Sequence, residues 1–102
     1  MFDFIKRLFK PKADLRKLAL DGAVIIDVRT KEEYNWGHIE GSKNVPLGNI
    51  KNEITTLRNL KKPVITICRS GNRSGMAKSI LAAAGLDVYN GGAWTNLKRQ
   101  LQ

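Results

Sequence analysis

The chain has 102 residues, a size that suits one domain with its own core, and its apolar share of 42% and charged share of 26% are ordinary for a globular protein. No run approaches the roughly 18 apolar residues of a membrane-spanning helix, and the opening MFDFIKRLFKPK, broken by Lys6, Arg7 and Lys10, lacks the apolar core and cleavage site of a secretory signal. The net charge of +9 attracts anions, but the lysines and arginines are spread along the chain without a nucleic-acid-binding motif or interleaved aromatics, so no nucleic-acid partner is expected.

Residues 1–13 form a basic amphipathic segment, with Phe2, Ile5, Leu8 and Phe9 on one helical face. Contact with a membrane surface is one reading of it, and folding back over the core is the preferred one. Asp14 to Leu20 is predicted to be a short helix with Asp14 as its N-cap. Ala23 to Val28 (AVIIDV) has the continuous apolar, β-branched character of a strand buried on both faces. Thr30 to Glu33 has the spacing of a capping box and opens a helix through about Trp36. A short strand at Asn44-Val45, a helix from Ile50 to Leu60 and a second buried strand from Val64 to Ile67 follow. The pattern then predicts a helix from Ser74 to Ala84, with Ser74 able to cap it and Gly85 ending it. A strand at Asp87 to Asn90 and a helix from Trp94 to Leu101 complete the chain. Strands alternating with helices give an α/β fold, here one domain over residues 14–102, whose ligand site lies beyond the carboxyl ends of parallel strands.

Cys68, the only cysteine, stands at such an end. A lone cysteine forms no intramolecular disulfide, so cytoplasmic residence is the default. A free thiol with a pKa of about 8.5 is only a few per cent ionised at neutral pH, and lowering that value by two units takes about 2.7 kcal/mol. Hydrogen bonds to a charged group supply about 1.5–3 kcal/mol each, so a tight loop whose N–H groups converge on sulfur suffices. The loop Cys68-Arg69-Ser70-Gly71-Asn72-Arg73-Ser74 has the glycine for such a turn and two cations beside it. A small buried hydrophobe is the common fate of a free cysteine; strand end, loop, arginines and helix start together favour a reactive thiolate. Asp27 and Arg29 end a strand beside this loop and are expected to support it through an ion pair, Arg29 with Asp27 or Glu33. His38 is assigned to turn packing. One Cys and one His do not make a metal site, and no cofactor is expected.

The stretch VITI-CRSGNRSG resembles the active-site loop of rhodanese-like sulfurtransferases. AVIIDVRTKEEYNWGHIEGSKNVPL, Ala23 to Leu47, is similar to the family's strand end, acidic-aromatic helix and Gly-His turn, and VYNGG, Val88 to Gly92, to its last strand and double-glycine turn. The resemblance implies a three-layer fold with a central parallel sheet of four to five strands flanked by helices on both faces. No counterpart of the family's first strand is evident near the N-terminus. It also implies that the Cys68 thiolate takes a sulfane sulfur from an anionic donor, thiosulfate or a persulfide, and passes it on from a Cys68 persulfide. Loop amides from Arg69 onward would cradle the sulfur, while Arg69 and Arg73 attract the donor, Arg73 pointing inward. The acceptor must come from outside the chain: cyanide in the test tube, or a thiol such as thioredoxin or glutathione. Two other readings are a phosphatase or arsenate reductase of the same fold, and a non-catalytic interaction module. Phosphatases of this kind place arginine six positions after cysteine; here Ser74 holds that position and Arg73 the fifth, a spacing that favours persulfide over phosphate.

Overall fold

The protein is described from a computed structural model, which covers residues 13–102 in detail. The expected amphipathic face of residues 1–13 (Phe2, Ile5, Leu8 and Phe9) lies outside the described residues. Asp14 caps helix α1 (Leu15–Leu20) by accepting the Lys17 N–H at 3.0 Å. Strand β1 (Val24–Asp27) leads to α2 (Lys31–Trp36), which the capping box opens: Thr30 Oγ accepts the Glu33 N–H, and the Glu33 carboxylate accepts the Thr30 N–H. Next come β2 (Lys43–Asn44), a 3-10 turn over Leu47–Glu53 and helix α3 (Ile54–Leu60). Strand β3 (Val64–Cys68), helix α4 (Asn72–Ala83), strand β4 (Val88–Ala93) and helix α5 (Trp94–Leu101) finish the chain.

The four strands form one parallel sheet in the order β2-β1-β3-β4, the lower of the two expected strand counts. β3 lies in the middle, and all five of its residues are buried. Its side chains alternate between two apolar layers, as a pleated strand requires. Val64 and Cys68 join Ile26, Val28, Leu57, Ala77 and Leu81 on the α3/α4 side. Ile65 and Ile67 join Leu97, Leu15, Leu18 and Leu101 on the α1/α5 side. Each fully buried aliphatic side chain contributes about 1.5–3 kcal/mol relative to exposure, and Ile26, Ile65, Ile67, Leu81 and Leu97 are fully buried. β3 is covered on both faces, and Cys68 is its last residue, buried at the carboxyl end just before the exposed Arg69 and Ser70. Among the described residues no helix is long and apolar enough to cross a membrane.

Beyond shifts of one residue, as at β2 (Lys43–Asn44 for the expected Asn44-Val45), three elements depart from the expected boundaries. The segment after Pro46 coils as a 3-10 turn before it becomes α-helical, because Gly48, Asn49 and Asn52 are weak α-helix formers. Helix α4 starts at Asn72 with Gly71 in the cap position, so Ser74 lies inside its first turn and does not cap it. Strand β4 runs on past Asn90 through a bulge, where Asn90 pairs with Thr66 and Gly92 with Ile67, leaving Gly91 between. A Cβ on Gly91 would lie 2.7 and 2.8 Å from the Cγ2 methyls of Ile65 and Ile67, so only glycine fits there.

Candidate active site

The sulfur of Cys68 takes the place of a capping side chain. Gly71, at φ +103°, turns the chain directly into α4 but has no side-chain oxygen to accept the N–H groups of the helix's first turn. Cys68 Sγ, three residues earlier, accepts instead, from Gly71 N–H at 3.0 Å and Ser74 N–H at 3.4 Å. Ser74 Oγ lies 3.3 Å from the same sulfur. Burial pushes the Cys68 thiol up, since the residue is 1% exposed. Hydrogen bonds from the Ser74 hydroxyl and from the Ser74, Gly71 and Ser70 N–H groups outweigh burial and hold the thiol below its ordinary value. The positive end of the α4 dipole acts in the same direction.

Two ion pairs brace this loop. Asp27 and Arg29 pair as expected, Nη2 to Oδ2 at 2.8 Å and Nε to Oδ1 at 2.9 Å. Arg29 reaches Glu33 through the backbone, donating to the Glu33 carbonyl at 3.2 Å and to the Gly37 carbonyl at 2.7 Å. The Glu33 carboxylate goes to Arg73, in a bidentate pair with distances of 2.7 and 3.0 Å. Arg73 therefore does not stand free to face a donor; its charge is engaged 40 residues away in sequence. Arg69 is exposed and makes no ion pair among the described residues. It lines a cleft of about 310 Å3 with Arg29, Glu33, Trp36, Gly37 and Trp94. Ser70 lines a separate, more polar cleft of about 540 Å3 with Asn90, Gly92, Ala93 and Asn96. Asn72 is exposed at the start of α4. His38 stacks on Tyr34 with ring centroids 3.8 Å apart and donates from Nδ1 to the Tyr34 carbonyl at 2.7 Å, a turn-packing role away from the sulfur.

The Arg73 pair makes an acid-stability prediction. The Arg73 hydrogen bonds, then the Thr30 N–H, lower the Glu33 carboxyl from 4.5 to about 2. The folded state thus ionises below the unfolded one, so the pair's contribution is complete above about pH 4.5 and is lost as pH falls toward 2. The full shift corresponds to about 3 kcal/mol, and screening of side chains that are 25–34% exposed reduces this to about 1–2 kcal/mol. Glu33→Gln keeps the capping box and loses the charge. Urea unfolding should find the variant about 1–2 kcal/mol less stable at pH 6 and equal to the wild type near pH 2. A gap that stays constant with pH would assign the stabilisation to packing.

Two residues that sequence reasoning did not single out, Thr66 and Asn90, and one that it read only in part, Glu33, complete the site. Thr66 Oγ1 donates to the Ser74 carbonyl at 2.8 Å, tying the first turn of α4 to β3. Its signal was a hydroxyl inside the otherwise apolar VITI. Asn90 bonds Ser74, Gly71 and Gly92; an amide just before a double glycine was the available cue. Glu33 does two jobs, only one of which the local capping pattern exposes.

Residues 11–96 match the family described as the rhodanese-like domain. The chain is 39% identical over 61 residues to thiosulfate sulfurtransferase PspE of Escherichia coli, a match covering 59% of each protein. It is 37% identical over 81 residues to thiosulfate sulfurtransferase GlpE of Pseudomonas fluorescens, covering 78% of this chain and 73% of that one. The chain spans only 54% and 59% of the length of two of the curated relatives it matches. In structure it is similar to a rhodanese with anions from E. coli, with a TM-score of 0.68, 36% identity, and coverage of 74% of this chain and 91% of that one. A profile match over most of the chain, and relatives above 30% identity, agree with a cysteine that ends a central parallel strand and caps the next helix: the chain belongs to the rhodanese-like domain family.

Proposed function

We propose that the protein is a thiosulfate sulfurtransferase of the rhodanese type, carrying sulfur as a persulfide on Cys68, with residues 14–102 as its catalytic unit. The observation that carries this reading is the set of polar groups around Cys68 Sγ, at 3.0 to 3.4 Å, which favour the anionic form of the sulfur. The thiolate attacks the outer sulfur of thiosulfate, a Cys68 S–S bond forms, and the S–S bond of thiosulfate breaks to release sulfite. The acceptor then attacks the terminal sulfur and returns Cys68 as thiolate; with cyanide the product is thiocyanate. N–H groups of the Arg69 to Ser74 loop hold the negative charge as it moves. Arg69 attracts the anionic donor from the Trp36/Trp94 cleft. Arg73, paired with Glu33, acts by fixing the loop. The acceptor in the cell is an external thiol such as thioredoxin or glutathione, and a lone thiol suits the reducing cytoplasm. Against a phosphatase loop, the position six after Cys68 is Ser74, whose N–H and Oγ abut the sulfur where an arginine would be required.

Incubation with thiosulfate, followed by intact-mass measurement, tests the proposal. The protein is expected to gain the mass of one sulfur atom and to lose it on addition of cyanide, with stoichiometric thiocyanate. No mass gain and no thiocyanate would overturn the thiosulfate assignment, and hydrolysis of an aryl phosphate in its place would favour the phosphatase.

A further inference from the structure

Asn90 reaches Gly71 and Ser74, whose N–H groups lie 3.0 and 3.4 Å from the Cys68 sulfur. Its Nδ2 donates to the Gly71 carbonyl at 3.2 Å, while its Oδ1 accepts the Ser74 hydroxyl at 2.7 Å and the Gly92 N–H at 2.9 Å. These bonds set the amide's orientation, because the Gly92 N–H can face only an acceptor and the Gly71 carbonyl only a donor. Regular pairing of β4 with β3 from Val64–Val88 onward sets Asn90 opposite Thr66, and the Gly91 bulge that follows accompanies the Gly92 N–H bond back to Asn90 Oδ1. Gly75 leaves the room: a Cβ there would lie 3.2 Å from Asn90 Nδ2.

A count of protons then links Asn90 to the thiol. The Ser74 hydroxyl has one proton, and in this arrangement it goes to Asn90 Oδ1. With that proton engaged, Ser74 Oγ can only accept from a neutral Cys68 S–H at 3.3 Å. When the thiol ionises, the hydroxyl must turn its proton toward sulfur, and the Gly92 N–H remains to satisfy Oδ1. We propose that Asn90 is a positioning residue for Cys68, its carboxamide holding Gly71 and Ser74 against the sulfur and sharing the Ser74 proton with it. The inference rests on Cys68 being the reacting thiol; it does not depend on which sulfur donor the protein uses.

Asn90→Asp is the sharpest test, because its three consequences have one direction. A carboxylate holds the Ser74 proton more tightly, has no hydrogen to donate to the Gly71 carbonyl, and adds negative charge two hydrogen bonds from the sulfur. The other charged groups around the thiol stay as they are: Arg69 in the loop, Arg73 on α4 with Glu33 on α2, and Asp27 with Arg29 at the end of β1. Alkylation of Cys68 by iodoacetamide, followed against pH, reads the thiolate without any sulfur donor. Asn90→Asp is expected to slow alkylation at pH 7 by roughly tenfold or more, with the high-pH plateau within about twofold of wild type. Asn90→Ala, which loses the brace without adding charge, is expected to slow it by about threefold at pH 7 with the same plateau, and it carries the test if the aspartate variant does not fold. A profile that does not move, or a loss of equal size at every pH, would overturn the proposal.

Discussion

Cys68→Ser is expected to leave no measurable sulfur transfer, a loss of about a thousandfold or more, in a protein that still folds. A serine hydroxyl is not ionised near neutral pH, and oxygen cannot replace sulfur in a persulfide, so the variant should gain no mass from thiosulfate. The fold should tolerate the change, because the contacts that Sγ makes are ones a hydroxyl can also make. Ser Oγ accepts N–H hydrogen bonds, and those from Gly71 and Ser74 keep a partner at the start of α4. The new hydroxyl's own proton finds Ser74 Oγ, which lies beside Sγ in the wild type. Unfolding free energy should therefore change by no more than about 1 kcal/mol, and circular dichroism with urea unfolding would check it. Because the chain has no second cysteine, sulfur transfer that survived in Cys68→Ser would remove the thiol from the reaction altogether.

What was readable from sequence, and what was not, follows from the range of the interactions. The buried strands announce themselves as the β-branched runs VIID and VITIC, and the start of α2 as Thr30 with Glu33 three residues on. The position of Cys68 at a strand end follows from the same local pattern. The start of α4 did not, because its cap is a sulfur three residues upstream of the glycine, outside the usual Ser, Thr, Asp and Asn signals. Ser74 looked like a cap for want of that sulfur. The Arg73–Glu33 pair joins residues 40 apart, and the Asn90 contacts reach back 16 and 19 residues. Both depend on which strands are neighbours, so they become visible only once the order β2-β1-β3-β4 is known. The Gly91 bulge that follows Asn90 has a cue in the double glycine, but that cue does not say which residue is displaced.

Asp27→Ala is expected to cause the largest loss of stability, about 3–5 kcal/mol. Asp27 is 0% exposed and Arg29 only 4%, and the carboxylate accepts from Arg29 Nε, Nη2 and backbone N–H. Truncating it leaves a buried guanidinium with the Glu33 and Gly37 carbonyls and the face of Trp94, 4.5 Å away, as its partners. Those dipoles do not neutralise a full charge out of water, which is why breaking a buried pair is far more damaging than never having one. At about 4 °C or more per kcal/mol for a domain of this size, the melting temperature should fall by at least about 12 °C. Arg29→Lys should also be poorly tolerated, because an ammonium cannot span the carboxylate and both carbonyls with one planar fork. The damage should extend to function. Arg29 holds the Glu33 and Gly37 carbonyls at the end of α2, and Glu33 in turn holds Arg73 at the loop. Sulfur transfer by Asp27→Ala, measured well below its own melting temperature, should therefore fall severalfold. Replacing both members of the pair with apolar residues, Asp27→Leu with Arg29→Met, should recover part of the stability, since no uncompensated charge remains. It should not recover the activity, since nothing then fixes the Glu33 and Gly37 carbonyls. Recovery of both together would mean that the pair serves packing alone.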